Sequence, residues 1–147
     1  MFTNWRWFEQ ATAGLPRSFA GPHSEKIGGL GELSYDAMRQ YLRRLRCYCY
    51  TGTVPASYTL GFIEAMMTGT PMVSISKNHM WAGPMLFEAD ELVPFSYDRP
   101  SDANAMIRTI LEDYELARVT SVQQRERAIE LFGVDRIAEQ WRSFLYG

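Results

Sequence analysis

Gly52-Thr-Val-Pro-Ala-Ser-Tyr-Thr-Leu-Gly-Phe-Ile-Glu-Ala-Met-Met-Thr-Gly-Thr-Pro-Met-Val-Ser-Ile75 is the stretch on which the fold turns. Its pattern predicts a strand end, a Pro/Ser/Thr loop, a short helix from Thr59 to Thr68, a stop at Gly69 and a buried strand from Met72 to Ser76. A loop feeding a helix at the carboxyl end of a strand is where open α/β sheets bind ligands. The first helical turn carries unpaired N–H groups and positive dipole charge, which suit a phosphate. Gly61 lies in that turn, where a missing side chain lets a ligand approach the backbone. Glu64, one turn on, brings two acceptor oxygens that can hold a vicinal diol such as a ribose. Phosphate at the helix start and diol at the glutamate describe a nucleotide site.

Working outward, the same reading assigns the rest of the chain. Trp5 to Ala13 is a helix stopped by Gly14-Leu-Pro16. Ser18 to Gly21 and Gly28 to Leu33 are short strands around a polar loop that holds His23 and Lys26. Ser34 caps an amphipathic helix from Tyr35 to Arg46, whose apolar positions are Met38, Tyr41, Leu42 and Leu45. Cys47 to Tyr50 is a strand. Residues 77–91 are irregular, and Leu92-Val-Pro-Phe95 is an edge strand, since Pro94 cannot donate to a ladder. Ser101 caps a helix from Asp102 to Tyr114. Another runs to Phe132, where Gly133 stops it, and the last spans Asp135 to Tyr146. Short strands alternating with helices imply an α/β fold whose mostly parallel sheet, of about five strands, is covered on both faces.

The 147 residues suit one domain, 1–147, with 46% apolar, 22% charged and 14% aromatic content. A net charge of −2 argues against a general nucleic-acid surface. No apolar run reaches the roughly 20 residues that cross a bilayer. Met1-Phe-Thr-Asn-Trp-Arg-Trp-Phe8 lacks the basic-then-apolar layout of a secretion signal, so the expected compartment is the cytoplasm. Cys47 and Cys49 sit two apart and share one side of their strand, which makes them buried, reduced thiols, not a disulfide or a metal site. His23 and His79 lack metal spacing, and no metal or cofactor is expected. Arg39, Arg43, Arg44 and Arg46 form a solvated helix face. Trp5, Trp7, Trp81 and Trp141 are scattered, which favours core and interface roles over a stacking surface.

The run Phe62-Ile-Glu-Ala-Met-Met-Thr-Gly-Thr-Pro-Met-Val73 resembles the donor-binding motif of retaining, nucleotide-sugar-dependent glycosyltransferases of the GT-B type, the large family (glycosyl transferases group 1) with the Glu-x7-Glu pattern. Gly31 to Leu42 is similar to the segment in which a loop contacts the base before a helix. Ser101 to Asp113 and Ala128 to Leu145 are similar to the closing helices. The resemblance implies a Rossmann-like three-layer sandwich with C-terminal helices. It also implies a nucleotide-sugar donor, held through its ribose by Glu64 and through its diphosphate by the backbone from Tyr58 through Thr59 and Leu60 to Gly61. The catalytic residues are not identified.

Two departures qualify that expectation. The first glutamate of the family pair falls at Ala56, whose methyl cannot accept the hydrogen bonds it would make. Ser57, Tyr58 and Thr59 offer hydroxyls nearby instead. The acceptor-binding domain and the donor domain's first strand, with the turn that brings an Arg and a Lys to the diphosphate, also have no counterpart here. A partner chain carrying the acceptor half, or self-association, is therefore expected, with Trp5 to Phe8 and the helix around Trp141 as contact surfaces. The alternative is a catalytically incomplete module that binds or assembles with a partner. A different α/β nucleotide enzyme is disfavoured, since no Gly-x-Gly-x-x-Gly or Gly-x-x-x-x-Gly-Lys motif occurs.

Overall fold

The sheet owes its form to strands that are apolar on both faces. The computed structural model describes residues 5–51, 59–75 and 96–146. In it β1 (Tyr48–Tyr50), β2 (Met72–Ile75) and β3 (Ser96–Tyr97) lie side by side in that order, both pairings parallel. Tyr48 stands opposite Met72 and Tyr50 opposite Ser74, while Ser74 and Ile75 face Ser96 and Tyr97. The helices are α1 (Trp5–Ala11), α2 (Tyr35–Arg44), α3 (Leu60–Met67), α4 (Pro100–Glu112), α5 (Tyr114–Phe132) and α6 (Val134–Tyr146).

Period-two alternation divides the core into two layers. Tyr48, Tyr50 and Met72 point to one face, where they meet Leu42 of α2, Phe62, Ala65 and Met66 of α3, and Ala128 of α5. Cys47, Cys49, Val73 and Ile75 point to the other, against Ala11 of α1 and Ala103, Ile107 and Ile110 of α4. Every residue of β2 is buried, as a parallel strand with helices on both sides requires. The α/β class with a parallel, doubly covered sheet therefore holds.

The sheet has three strands among the described residues. Ser18–Gly21 and Gly28–Leu33, expected as strands, are not strands. They make only an irregular pairing, with Leu30 N–H donating to Phe19 C=O at 2.9 Å and Gly21 N–H to Gly31 C=O at 2.8 Å. Gly28 and Gly31 adopt left-handed φ values of 86° and 78°, which no ladder accommodates. His23, also left-handed at φ 65°, precedes a short 3-10 turn, Ser24–Ile27. The expected edge strand Leu92–Phe95 and the irregular stretch 77–91 lie outside the described residues.

Helix ends follow local chemistry. Ser34 Oγ accepts from Ala37 N–H, as a capping serine should. That helix ends at Arg44, two residues earlier than expected, because Leu45 turns extended. The cap of α4 is Arg99 and not Ser101, since Pro100, lacking an N–H, takes the first helical position. At Gly133 the chain passes from α5 to α6 in one extended residue, and a Cβ there would collide with the Ile129 carbonyl. Only glycine fits that corner.

One buried side chain completes the sheet. Gln124 of α5 accepts from Met72 N–H with Oε1 at 2.8 Å and donates to the Met72 carbonyl with Nε2 at 2.9 Å. A single amide thus meets both backbone groups of Met72. Thr70 Oγ1 donates to the Leu42 carbonyl at 2.7 Å, tying the start of β2 to the end of α2. Among the described residues, no helix is long and apolar enough to cross a membrane.

Candidate functional site

The carboxyl end of β1 and the start of α3 border a cavity of about 630 Å³. It runs along the outer edge of β1. One wall is Leu45 to Thr51, another is Leu15 to Ala20, and Thr59, Gly61 and Glu64 stand at the α3 end. Helix α3 takes up this position because Phe62, Ala65 and Met66 bury one face on the sheet, while Gly61 and Glu64 line the cavity.

Thr59 is the extended N-cap of α3, and its carbonyl accepts from Phe62 and Ile63. Leu60 and Gly61 therefore hold first-turn N–H groups that no intrahelical carbonyl can reach. Thr59's own hydroxyl makes no capping bond. A Cβ added to Gly61 would lie 3.7 Å from both Thr59 Oγ1 and the Tyr48 hydroxyl, which is ordinary contact. The fold leaves room there for a side chain that the sequence does not place. Glu64 is half-buried, and no described residue forms a hydrogen bond with its carboxylate.

Tyr48 supplies the neutral side of the site. Burial pushes its phenol well above the usual range, and Tyr50, Cys49, Tyr41 and Glu64 add to the shift in that order. It therefore stays a hydroxyl donor across the physiological range. Tyr41 shares a hydrogen bond of 3.0 Å with Ser18 Oγ across the cavity, and burial raises it too, against the effect of that bond. Arg17 also lines the cavity. Its guanidinium lies 5.8 Å from the Trp5 ring centroid and 6.0 Å from that of Phe8, and donates to Thr12 Oγ1 at 3.4 Å. Arg46 is held by the Leu111 carbonyl at 2.9 Å.

Three of the five expected donor-site residues, Thr59, Gly61 and Glu64, come together on this cavity. Leu60 is 76% exposed and contributes only backbone. Tyr58 lies outside the described residues, with Ala56, Ser57, His79 and Trp81. Tyr48, Tyr41 and Ser18 were missed by sequence reasoning. The one signal for Tyr48 was its place in Cys47-Tyr-Cys-Tyr50, directly before the loop to α3.

The cysteines are free and half-buried instead of fully buried, and burial pushes both thiols up to about 12. Arg39 pairs with Asp36 at 3.6 Å, in line with a solvated face. Among the described residues, no group of His, Cys, Asp and Glu could hold a metal ion. The chain matches no protein-family model, no curated protein and no solved structure.

Proposed function

We propose that the chain is the donor-binding part of a nucleotide-sugar-dependent glycosyltransferase acting in the cytoplasm, with the cavity at the start of α3 taking a nucleoside diphosphate sugar. One observation carries the reading. Half-buried Glu64 shares a cavity with Thr59 and Gly61 of the first turn of α3, at the carboxyl end of a parallel strand. Ribose hydroxyls meet the Glu64 carboxylate, and the diphosphate lies over the N–H groups of Leu60 and Gly61, with the hydroxyls of Thr59 and Tyr48 beside it. A Rossmann-like arrangement completed by further strands belongs to this proposal, as does a partner that supplies the acceptor half. No metal is needed to hold the donor in this scheme.

Calorimetric titration with uridine, adenosine and guanosine diphosphates and their sugars tests it. A hydrogen bond to a charged group contributes roughly 1.5–3 kcal/mol, so Glu64→Gln weakens binding by about one to two orders of magnitude. Gly61→Val obstructs the phosphate approach instead. Unchanged affinity in both variants would place the site elsewhere. Ala56, standing where the family carries its first glutamate, favours a second reading: a donor-type module that binds nucleotide without transferring sugar. Nucleotide binding with no hydrolysis or transfer of the sugar, alone or with an acceptor-domain chain, would decide for it.

A further inference from the structure

We infer that the body of the cavity, along the outer edge of β1, is a slot for an added β-strand: an extended, apolar peptide segment seated between Cys49 and Ala20. Among the described residues β1 has a strand neighbour on one side only. Tyr48 N–H donates to the Pro71 carbonyl at 2.7 Å, so Tyr48 turns its backbone groups toward β2. Successive residues of a strand turn theirs to opposite sides. Cys49 therefore directs its N–H and C=O into the cavity that its residue lines.

The facing wall is irregular backbone whose neighbouring groups are bonded elsewhere. Phe19 C=O and Gly21 N–H are bonded to Leu30 and Gly31. Ala20, between them, lines the cavity. Two lengths of backbone thus flank one space. Buried backbone groups without partners cost about as much as a lost hydrogen bond each, so such a space favours an occupant that can pair with both sides. An extended peptide does so, because it offers donors and acceptors on both edges along its length.

The remaining lining sets the chemistry of that strand. Phe8, Leu15, Leu45, Ile107 and Leu111 call for apolar side chains. A nucleotide at Thr59 and Glu64 would occupy the end of the same cavity. The strand proposal does not depend on it.

Amide hydrogen exchange followed by NMR tests the inference with a defined probe, the capped peptide acetyl-Thr-Val-Ile-Val-Thr-amide at millimolar concentration. The expected result is at least a roughly tenfold slowing at the Cys49 and Ala20 amides, as a new backbone hydrogen bond requires, with slower thiol labelling of Cys47 and Cys49. A peptide with proline at its centre should give neither. Ala20→Pro removes a donor from the facing wall without touching the β1–β2 pairing. It should weaken the peptide's protection of Cys49 by roughly two- to tenfold. Four outcomes would overturn the inference. The Cys49 amide could be protected in the chain alone, the peptide could leave it unprotected, the proline control could protect it equally, or uridine diphosphate could protect it and displace the peptide. The last result would assign the whole cavity to the nucleotide, whereas failure of nucleotide binding alone leaves peptide protection intact.

Discussion

Single residues divide into those the fold needs and those it leaves free. Gln124 belongs to the first kind, since its amide satisfies both backbone groups of Met72 inside the protein. Gln124→Met keeps the length and strands two buried polar groups, each worth about 1–3 kcal/mol. Urea titration should show a loss of about 2–6 kcal/mol on that count, larger than Met66→Leu produces. Gly61 is of the second kind. Its Cβ position is open, so Gly61→Ala should raise helix stability by about 0.5–1 kcal/mol while reducing any nucleotide affinity. A thermal melt and a titration on one sample separate the two effects. The thiols of Cys47 and Cys49 give a pH signature. Burial raises them from the ordinary 9.0 to about 12, so between those values the unfolded chain loses protons that the folded chain keeps. Their contribution to stability is present below pH 9 and is lost as pH rises toward 12. Urea midpoints measured upward from pH 8 should fall, and less steeply in the double Ala variant.

Elements are joined by side chains that close helix ends. The last carbonyls of α1 and its turn are held from α4. Asn104 Nδ2 donates to Ala11 at 2.8 Å and to Ala13 at 3.2 Å, and Arg108 Nη2 donates to Ala13 at 2.9 Å. Arg108 Nε in turn donates to Asn104 Oδ1 at 2.9 Å, which fixes the amide. Asn104→Ala removes both amide contacts and should cost about 1–2 kcal/mol, with hydrogen exchange rising first in α1. The aromatic start of α1 is packed within the chain. Trp5, Phe8 and Phe19 meet with ring centroids 5.0–6.0 Å apart, and Trp7 packs on the α4 side of the core. In the segment Trp5 to Phe8, expected as a contact surface, Trp5, Trp7 and Phe8 are half-buried and Arg6 is exposed.

The whole molecule shows its uncovered surface at the other end. Helix α6 buries no residue, and Val134, Ile137, Trp141, Phe144 and Leu145 recur at helical spacing along it, all exposed. Such a row is larger than isolated surface apolar residues require. Because none of it supports the core, Trp141→Gln with Phe144→Ser should change the urea midpoint by less than about 0.5 kcal/mol equivalent. The same pair should sharply reduce retention on a hydrophobic resin. A large loss of stability would show that α6 packs on the domain in solution.

What the sequence by itself determined is the local grammar. The alternation in Cys47-Tyr-Cys-Tyr50, the apolar run Met72 to Ile75 and the capping Ser34 each state which face is buried or where a helix starts. The same holds for Thr59, Gly61 and Glu64, whose shared placement follows from one helix turn beside one strand end. The tertiary structure alone decided the rest. Gln124 reaches Met72 from 52 residues away, and its partner is a backbone amide, which carries no residue identity for a pattern to register. The segments 18–21 and 28–33 are read as strands from their sequence, but glycines of positive φ at 21, 28 and 31 keep them irregular. The cavity joins Leu15–Ala20 to Leu45–Thr51. Periodicity records which side of an element turns away from water and is silent on which distant backbone edge it meets.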